Sequence, residues 1–199
     1  MMNNQETTNS RTVQTYMWPC ELFTENEENT FWTCVRTKPR WEKRFSRWLR
    51  SKNIPHFLPV FEKTTTSHRK TRTTEIPVIP SYVFVQGNRN KTDFQYSGCV
   101  AYIIKPSCAP EASLLDAQLR DIWCSLNSGM LVVPIHEFIS GEKVEVVDGP
   151  LQGTRGQFVR NGKHGTLIIS IELLGSSAAV ELTADSHIEP LESPQHIAY

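Results

Sequence analysis

The chain has 199 residues, equal numbers of basic and acidic residues, and a hydrophobic content of 39%, which suits one large or two small globular domains. No apolar run approaches the roughly 20 residues of a bilayer-spanning helix, and the first residues lack the apolar centre of a secretory signal. A cytoplasmic protein is expected. Five cysteines without a Cys-x-x-Cys pair or His/Cys ligand spacing argue against a disulfide framework and a metal site, and no cofactor is expected.

The neutral net charge hides a strong separation of charge along the chain. Residues 36–72 contain twelve Lys and Arg residues against Glu42 and Glu62, an excess that suits contact with a polyanion. Residues 1–30 carry five acidic residues and one Arg, and residues 137–199 carry nine acidic and four basic residues. The two parts of the chain therefore differ in partner or in role.

The first predicted elements are a leader, a strand and a helix. Residues 1–29 are polar and acidic without periodicity, which predicts a disordered leader; a short docking segment formed by Trp18, Leu22 and Phe23 is the less favoured alternative. Residues 31–37 are predicted to form a strand, and Pro39 suits the first turn of a helix that runs to about Lys52. Four residues at helical spacing define an apolar face that packs on a sheet, namely Trp41, Phe45, Trp48 and Leu49.

Basic side chains fill most other positions of that helix. Like charges at helical spacing repel one another, so contact with phosphate is favoured over a solvated face. The Thr-rich, basic segment that follows predicts a hairpin with its tip near residues 67–70. Its cations lack neighbouring aromatic or amide side chains, so we expect contact with a nucleic-acid backbone there; a plain surface loop is the alternative. The predicted nucleic-acid-binding residues are Lys38, Arg40, Lys43, Arg44, Arg47, His68, Arg69, Lys70 and Arg72.

The stretch 74–87 contains an aromatic strand. Pleat alternation places Tyr82 and Phe84 on one face and Val83 and Val85 on the other. If both faces are covered, one face packs against a core and the other against a partner. An ordinary strand with two core faces is the alternative.

The remaining elements complete two units. Residues 88–98 predict a short helical or irregular crossover and residues 100–104 a strand, and a long helix at 112–126 has apolar residues at helical spacing: Leu115, Leu119, Ile122 and Leu126. The order β, α, β, β, β, α predicts an α+β unit with helices on a mainly antiparallel sheet over 30–127. Residues 128–138 are predicted to be a linker, and the alternative is that its apolar stretch LVVPI is held against a domain. Short alternating runs separated by glycines over 139–192 predict a small β-barrel of about five strands, followed by a tail at 193–199.

Four motifs in order resemble the NusG family of transcription elongation and antitermination factors: WTCVRTKPRWEKRF, IPSYVFV, CVAYIIKP and GEKVEVVDGPLQGTRGQFV. The last of these resembles a KOW motif, and the resemblance covers residues 31–190. It implies an NGN domain over 30–127, which is an antiparallel sheet flanked by helices. It further implies a KOW domain, which is an SH3-like β-barrel, over 139–192.

In that family the N-terminal domain binds the clamp helices of the largest RNA polymerase subunit and favours processive transcription. The resemblance implies that the polymerase-binding surface here consists of Ile79, Pro80, Tyr82, Phe84 and Tyr102. It also implies that the basic helix and hairpin lie near upstream or non-template DNA.

The C-terminal domain of the family contacts ribosomal protein S10 or the termination factor Rho. Leu174 and Ser176 flank Gly175 where general NusG proteins usually have Phe and Arg, and Leu151 and Thr154 stand where aromatic residues are common. These departures make contact with Rho doubtful. In these features the chain is similar to the specialised paralogues RfaH and UpxY. The implied KOW partner-binding residues are Leu151, Leu173 and Leu174.

Two other classes of protein predict different chemistry. A ribosome-associated or RNA-binding KOW protein without polymerase contact would keep Tyr82 and Phe84 in its core. An enzyme such as a Cys/His hydrolase is disfavoured, because Cys34 lies in the middle of an apolar strand and no recognisable nucleophile or acid/base setting is present. We therefore predict no catalytic and no metal-binding residue.

Overall fold

A computed structural model describes residues 16–23, 31–67, 70–130, 132–135, 141–161, 164–182 and 186–191. Within these ranges the chain forms a five-stranded sheet, a six-stranded sheet and a two-stranded hairpin, and every strand pair is antiparallel. The prediction of antiparallel sheets is confirmed. The predicted segments at 1–15, 24–29, 136–138 and 193–199 lie outside the described residues.

In chain order the N-terminal unit contains β1 (Met17–Trp18), β2 (Trp32–Thr37), α1 (Glu42–Ser51), β3 (His56–Phe57), β4 (Val60–Ser67), β5 (Lys70–Pro77), β6 (Tyr82–Gln86), a 3-10 segment (Lys91–Ser97), β7 (Val100–Ile104) and α2 (Ala109–Asn127). The five-stranded sheet has the order β1-β3-β6-β2-β7, and β4 and β5 form the hairpin. The aromatic strand β6 is therefore the central strand of the sheet.

One face of the N-terminal sheet packs against α1. Val83 and Val85 lie on this face, fully buried with Phe45 and Leu49 of the helix. The buried residues of the helix and the strand are those that the periodicity of each predicts. The expected packing of α1 on a sheet is confirmed.

The opposite face of the sheet packs against α2. Trp32 and Phe84 are fully buried on this face, and Trp32 Nε1 donates a 2.7 Å hydrogen bond to Asp116 Oδ1 of α2. The helix contributes the four residues predicted from their spacing, Leu115, Leu119, Ile122 and Leu126. Both faces of β6 are therefore covered within the chain.

Helix α1 begins at Glu42, later than predicted from Pro39. Arg40 has a φ of 66°, a left-handed conformation that cannot continue a right-handed helix. The backbone N–H of Trp41 donates a 3.1 Å hydrogen bond to the carbonyl of Lys38. Pro39 therefore lies in a turn that precedes the helix.

Residues 16–23 are part of the fold, so their assignment to a disordered leader is wrong. Strand β1 pairs with β3 at the edge of the N-terminal sheet, and Leu22 and Phe23 are buried. The Phe23 ring stacks on Trp32 with a centroid distance of 5.4 Å. Too few apolar residues occur here to give a periodic signal, and the groove that they fill is formed by distant parts of the chain.

In chain order the C-terminal unit contains β8 (Val132–Ile135), β9 (Glu142–Asp148), β10 (Arg155–Asn161), β11 (His164–Ile171), a 3-10 turn (Glu172–Leu174), β12 (Ser176–Leu182) and β13 (His187–Pro190). Its sheet has the order β13-β9-β10-β11-β12-β8. Within the predicted linker at 128–138, β8 pairs with β12, which agrees with the alternative that the apolar residues of this segment are held against a domain. This pairing satisfies backbone groups of a sheet edge that would otherwise be open.

Helix α2 lies between the two sheets and contributes to one apolar cluster with both. Leu119 of α2 belongs to the same cluster as Phe84 of β6 and Ile169 of β11. Gln118 Oε1 of α2 accepts a 3.2 Å hydrogen bond from the backbone N–H of Glu172. The C-terminal unit is near the lower size limit for an independent core, and α2 enlarges the core that it can use.

Candidate interaction surfaces

Arg36, Tyr82 and Tyr102 form a cluster on three neighbouring strands of the N-terminal sheet. Arg36 lies opposite Tyr82 and also opposite Tyr102 in the strand register, so the three side chains share one face. Arg36 Nη1 donates a 2.6 Å hydrogen bond to Tyr102 Oη. The Arg36 Cζ atom lies 5.6 Å from the Tyr82 ring centroid and 5.3 Å from that of Tyr102. The guanidinium is thus within cation–π distance of both rings.

The pKa values of both tyrosines are shifted within this cluster. Burial raises the pKa of Tyr82, and its interaction with Tyr102 raises it further. Interactions with Tyr82 and with Arg36 lower the pKa of Tyr102. The Tyr102 side chain is 43% exposed, and its oxygen accepts the hydrogen bond from Arg36, so its own hydroxyl hydrogen is available to an outside acceptor.

Two backbone irregularities position the cluster. The register between β2 and β7 shifts between Arg36 and Thr37, and such bulges redirect neighbouring side chains. Ser81 has a φ of 67°, and its backbone N–H donates a 2.8 Å hydrogen bond to Glu42 Oε1. Helix α1 thereby holds the turn before β6, in which Pro80 is exposed.

Two of the five predicted polymerase-binding residues do not reach the surface. Ile79 and Phe84 are fully buried, and Tyr82 is 8% exposed. Pro80 and Tyr102 are exposed. The prediction is wrong for Ile79 and Phe84 as contact residues in this structure, because α2 and residues 16–23 cover the face that was assigned to a partner.

A cationic surface lies on and just before α1. Lys38 Nζ and Arg44 Cζ lie 5.0 and 4.5 Å from the ring centroid of the half-buried Trp41. Lys43 forms a 2.8 Å ion pair with Glu75 of β5, so its charge is offset within the chain. The exposed members of the predicted nucleic-acid-binding set in this region are Lys38, Arg40, Arg44 and Arg47.

The β4–β5 hairpin separates its side chains by chemistry. Lys63 and Arg72 are exposed, and pleat alternation puts them on one face of the hairpin. The other face carries two threonine pairs, Thr64–Thr73 and Thr66–Thr71, with hydroxyl distances of 3.2 and 3.3 Å. The predicted hairpin is confirmed by the strand pairing, whereas three predicted contacts at its tip lie outside the described residues: His68, Arg69 and the side chain of Lys70.

The predicted partner-binding residues of the C-terminal unit differ in exposure. Leu151 is fully buried in the shared apolar cluster, so its prediction as a contact residue is wrong. Its turn folds back on the sheet, because the Gly153 N–H donates a 2.7 Å hydrogen bond to the carbonyl of Val146. Leu173 and Leu174 are half-buried and pack against the same cluster.

Asp121 of α2 faces a cavity between this helix and the C-terminal sheet. Burial raises the pKa of its carboxyl to about 7, although the backbone N–H and the charge of Arg155 act in the opposite direction. Arg155 Nε also donates a 2.8 Å hydrogen bond to Glu145 Oε2. A carboxyl that titrates near neutral pH therefore lies at the contact between the two units.

The described residues offer little for catalysis. Burial raises the pKa of the Cys34 thiol to about 12, so it is not ionised as a nucleophilic thiol must be. No group of three or more His, Cys, Asp or Glu side chains in the described ranges could hold a metal ion. The helices of those ranges are also too short or too polar to cross a membrane.

Sequence reasoning missed Arg36 and Asp121 as residues of interest. The register that aligns Arg36 with two tyrosines joins strands that are far apart in the chain. Asp121 follows a run of apolar helical positions and gives no local sign that a second unit covers it. The excess of positive charge around Arg36 was the signal available from sequence.

Comparison with known proteins gives a family match over the N-terminal unit. The family model described as "Transcription termination factor nusG" matches residues 30–101. A search of curated protein sequences found no significant match. Among solved structures, Thermotoga maritima NusG is 14% identical over 82% of this chain and 98% of that chain, with a TM-score of 0.45. The MjSpt4:Spt5 complex is 18% identical over 82% of this chain and 99% of that chain, with a TM-score of 0.23. Residues 30–101, which include Arg36 and Tyr82, are thus similar to the NusG family of transcription factors.

Proposed function

We propose that this chain is a transcription elongation and antitermination factor that binds the clamp helices of RNA polymerase through its N-terminal unit. The observation that carries the proposal is the match of residues 30–101 to the NusG family model. Binding across the clamp favours the processive state of the polymerase. No step of this function requires catalysis by the chain itself.

The polymerase contact is centred on the exposed end of the aromatic face. Pro80 and Tyr102 are exposed there, and Arg36 holds Tyr102 by a 2.6 Å hydrogen bond to its hydroxyl oxygen. Tyr and Arg side chains are enriched among residues that dominate binding energy at protein interfaces. Ile79 and Phe84 have a different role, since their burial holds β6 in place.

The cationic surface of α1 and the charged face of the hairpin contact upstream or non-template DNA. Their exposed members carry positive charge that is not offset by a described ion pair, as for Arg44 and Arg72. Lysine and arginine at such positions bind nucleic acid with a strong dependence on salt. Lys43 contributes less, because it is paired with Glu75.

The C-terminal unit acts as a KOW domain and contacts a second partner, ribosomal protein S10. Leu173 and Leu174 are the residues of the predicted partner surface that are partly exposed. Departures from the general pattern around Gly175 support the proposal that the chain is a specialised paralogue similar to RfaH and UpxY, for which Rho is not expected as a partner.

One observation favours a second function, that of an RNA-binding or ribosome-associated protein without polymerase contact. That function expects Tyr82 and Phe84 in the core, and Phe84 is fully buried while Tyr82 is 8% exposed. The two functions then differ in the role of Tyr102. It is a contact residue if the chain binds polymerase, and a surface residue of no consequence otherwise.

Binding of the full-length protein to core RNA polymerase tests the proposal. Tyr102→Ala should weaken binding about 10-fold or more, whereas Tyr96→Ala, a matched control at a tyrosine that is 86% exposed, should bind as the unmodified protein does. Failure of the unmodified protein to bind polymerase, together with binding to RNA or ribosomal subunits, would support the second function instead.

A further inference from the structure

Arg36 is the one member of the Arg36, Tyr82 and Tyr102 cluster that carries a full charge, and among the described residues it forms no ion pair with a carboxylate. The described ion pairs join Lys43, Arg120 and Arg155 to their carboxylates. Arg36 instead donates to a neutral phenol, and its interactions with the two tyrosines raise its pKa. The guanidinium is therefore charged, exposed and held in place.

The two tyrosines fix the direction in which Arg36 can bind. Stacking of the guanidinium near two rings restricts its rotamers before any partner arrives, which lowers the entropy lost on binding. Tyr102 Oη already accepts a hydrogen bond from Arg36. Its own hydrogen is thus the group that it can offer to an outside acceptor.

An acceptor at this position would meet two donors, the remaining guanidinium N–H groups and the Tyr102 hydroxyl. A carboxylate has the size and the paired oxygen atoms to accept from both. The surroundings favour a protein over a nucleic acid, because two phenol rings lie within cation–π distance of this cation. Interface centres that carry most of the binding energy are enriched in Tyr and Arg, whereas a polyanion is served by the row of cations on α1.

We propose that Arg36 and Tyr102 together bind one carboxylate, from an Asp or Glu side chain on the surface of the protein partner. This rests on the proposed function, in which that partner is RNA polymerase. Arg36 then determines specificity, since it selects a partner surface with an acidic residue at the centre of the contact. A surface with a basic residue there would be rejected by like-charge repulsion.

Affinity of the full-length protein for core RNA polymerase tests the pair by a double-mutant cycle. Arg36→Gln should weaken binding on the order of 10-fold, and Tyr102→Phe, which keeps the ring, about 3-fold or more. Because both donors serve one carboxylate, the double variant should lose less than the product of the two effects. Lys52→Gln, which removes an exposed charge at the end of α1, should bind as the unmodified protein does.

Unchanged binding by Arg36→Gln, or effects of Arg36→Gln and Tyr102→Phe that multiply, would overturn the proposal. Thermal unfolding of each variant excludes loss of fold as the cause, and little change is expected because both side chains are exposed.

A second measurement separates this proposal from the proposed function. The side-chain Nε–H NMR signal of Arg36 in the full-length protein should shift on titration with a glutamate-rich helical peptide, and Tyr102→Phe should reduce that shift. If polymerase does not bind but the peptide shifts this signal, the function fails and the carboxylate site stands. If the Arg36 signal does not shift with the peptide, or shifts with a single-stranded oligonucleotide instead, the carboxylate site is overturned.

Discussion

Replacement of Asp121 by Asn should stabilise the protein, and the gain should grow with pH. Burial raises the pKa of Asp121 from 3.8 to about 7, so the folded chain binds this proton more tightly than the unfolded chain does. Stability is therefore greatest below about pH 4, falls as the pH rises toward 7, and stays reduced above that. A shift of about three pKa units corresponds to about 4 kcal/mol. Asn carries no charge and can still accept the hydrogen bond from the Arg155 backbone.

Urea unfolding at pH 5 and pH 8 measures this difference. The free energy of unfolding of Asp121→Asn should exceed that of the unmodified protein by up to about 4 kcal/mol at pH 8 and by less than about 2 kcal/mol at pH 5. The contributions of other titrating groups cancel in this difference, because both proteins contain them. Glu181→Gln, at an exposed carboxyl of strand β12 in the C-terminal sheet, should show no such gain.

An equal difference at both pH values would refute this reasoning. So would a loss of stability in Asp121→Asn at pH 8, since it would mean that attraction to Arg155 exceeds the penalty of burying the carboxylate.

Three further predictions concern the N-terminal unit. Phe84→Ala should destabilise the chain by about 3–5 kcal/mol in urea unfolding, because the ring is fully buried. A change near zero in the free energy of unfolding would indicate that Phe84 lies at the surface. Burial lowers the pKa of His56 to about 4, so stability should be lost as the pH falls from about 6.5 toward 4, by up to about 3 kcal/mol. His56→Gln should flatten that part of the pH profile, and an unchanged profile would contradict the assignment. Replacing Lys63 and Arg72 by Gln should reduce the salt dependence of duplex DNA binding, by about one unit of log–log slope per lost phosphate contact; an unchanged slope would place the hairpin away from DNA.

The elements that could be predicted from sequence are those specified by a local pattern. Alternation in β6 assigned Phe84 and Val83 to opposite faces, and the spacing of Leu115 and Leu119 assigned one face of α2 to a core. Each pattern is contained in a short window, so no knowledge of distant residues was needed. The patterns did not say what would cover each face.

The contact role given to Phe84 was wrong for that reason. Alternation shows that a face is apolar, and it does not distinguish a partner from another part of the chain. Here α2 and residues 16–23 cover the face. The same limit applies to residues 16–23 and to β8, since each is ordered by pairing with a strand that lies far away in sequence.

The site residues also fall into those that the sequence identifies and those that depend on contacts between distant parts of the chain. The excess of charge over 36–72 identified cationic surfaces on α1 and the hairpin, because net charge can be counted from composition. The special environment of Arg36 depends on cross-strand register, and that of Asp121 depends on contact between two units. Such features follow from the tertiary structure alone.

The position of α2 links the two proposed partner surfaces. One side of this helix covers the sheet that carries the Arg36 cluster, and the other side holds the turn that contains Leu173 and Leu174 through Gln118. A partner that fully covered those leucines would have to displace the turn from α2 and break its hydrogen bond. The free energy of binding at the C-terminal unit is therefore reduced by the free energy of this contact. Asp121 lies in the same contact, so its ionisation above about pH 7 lowers the free energy needed to release the C-terminal unit.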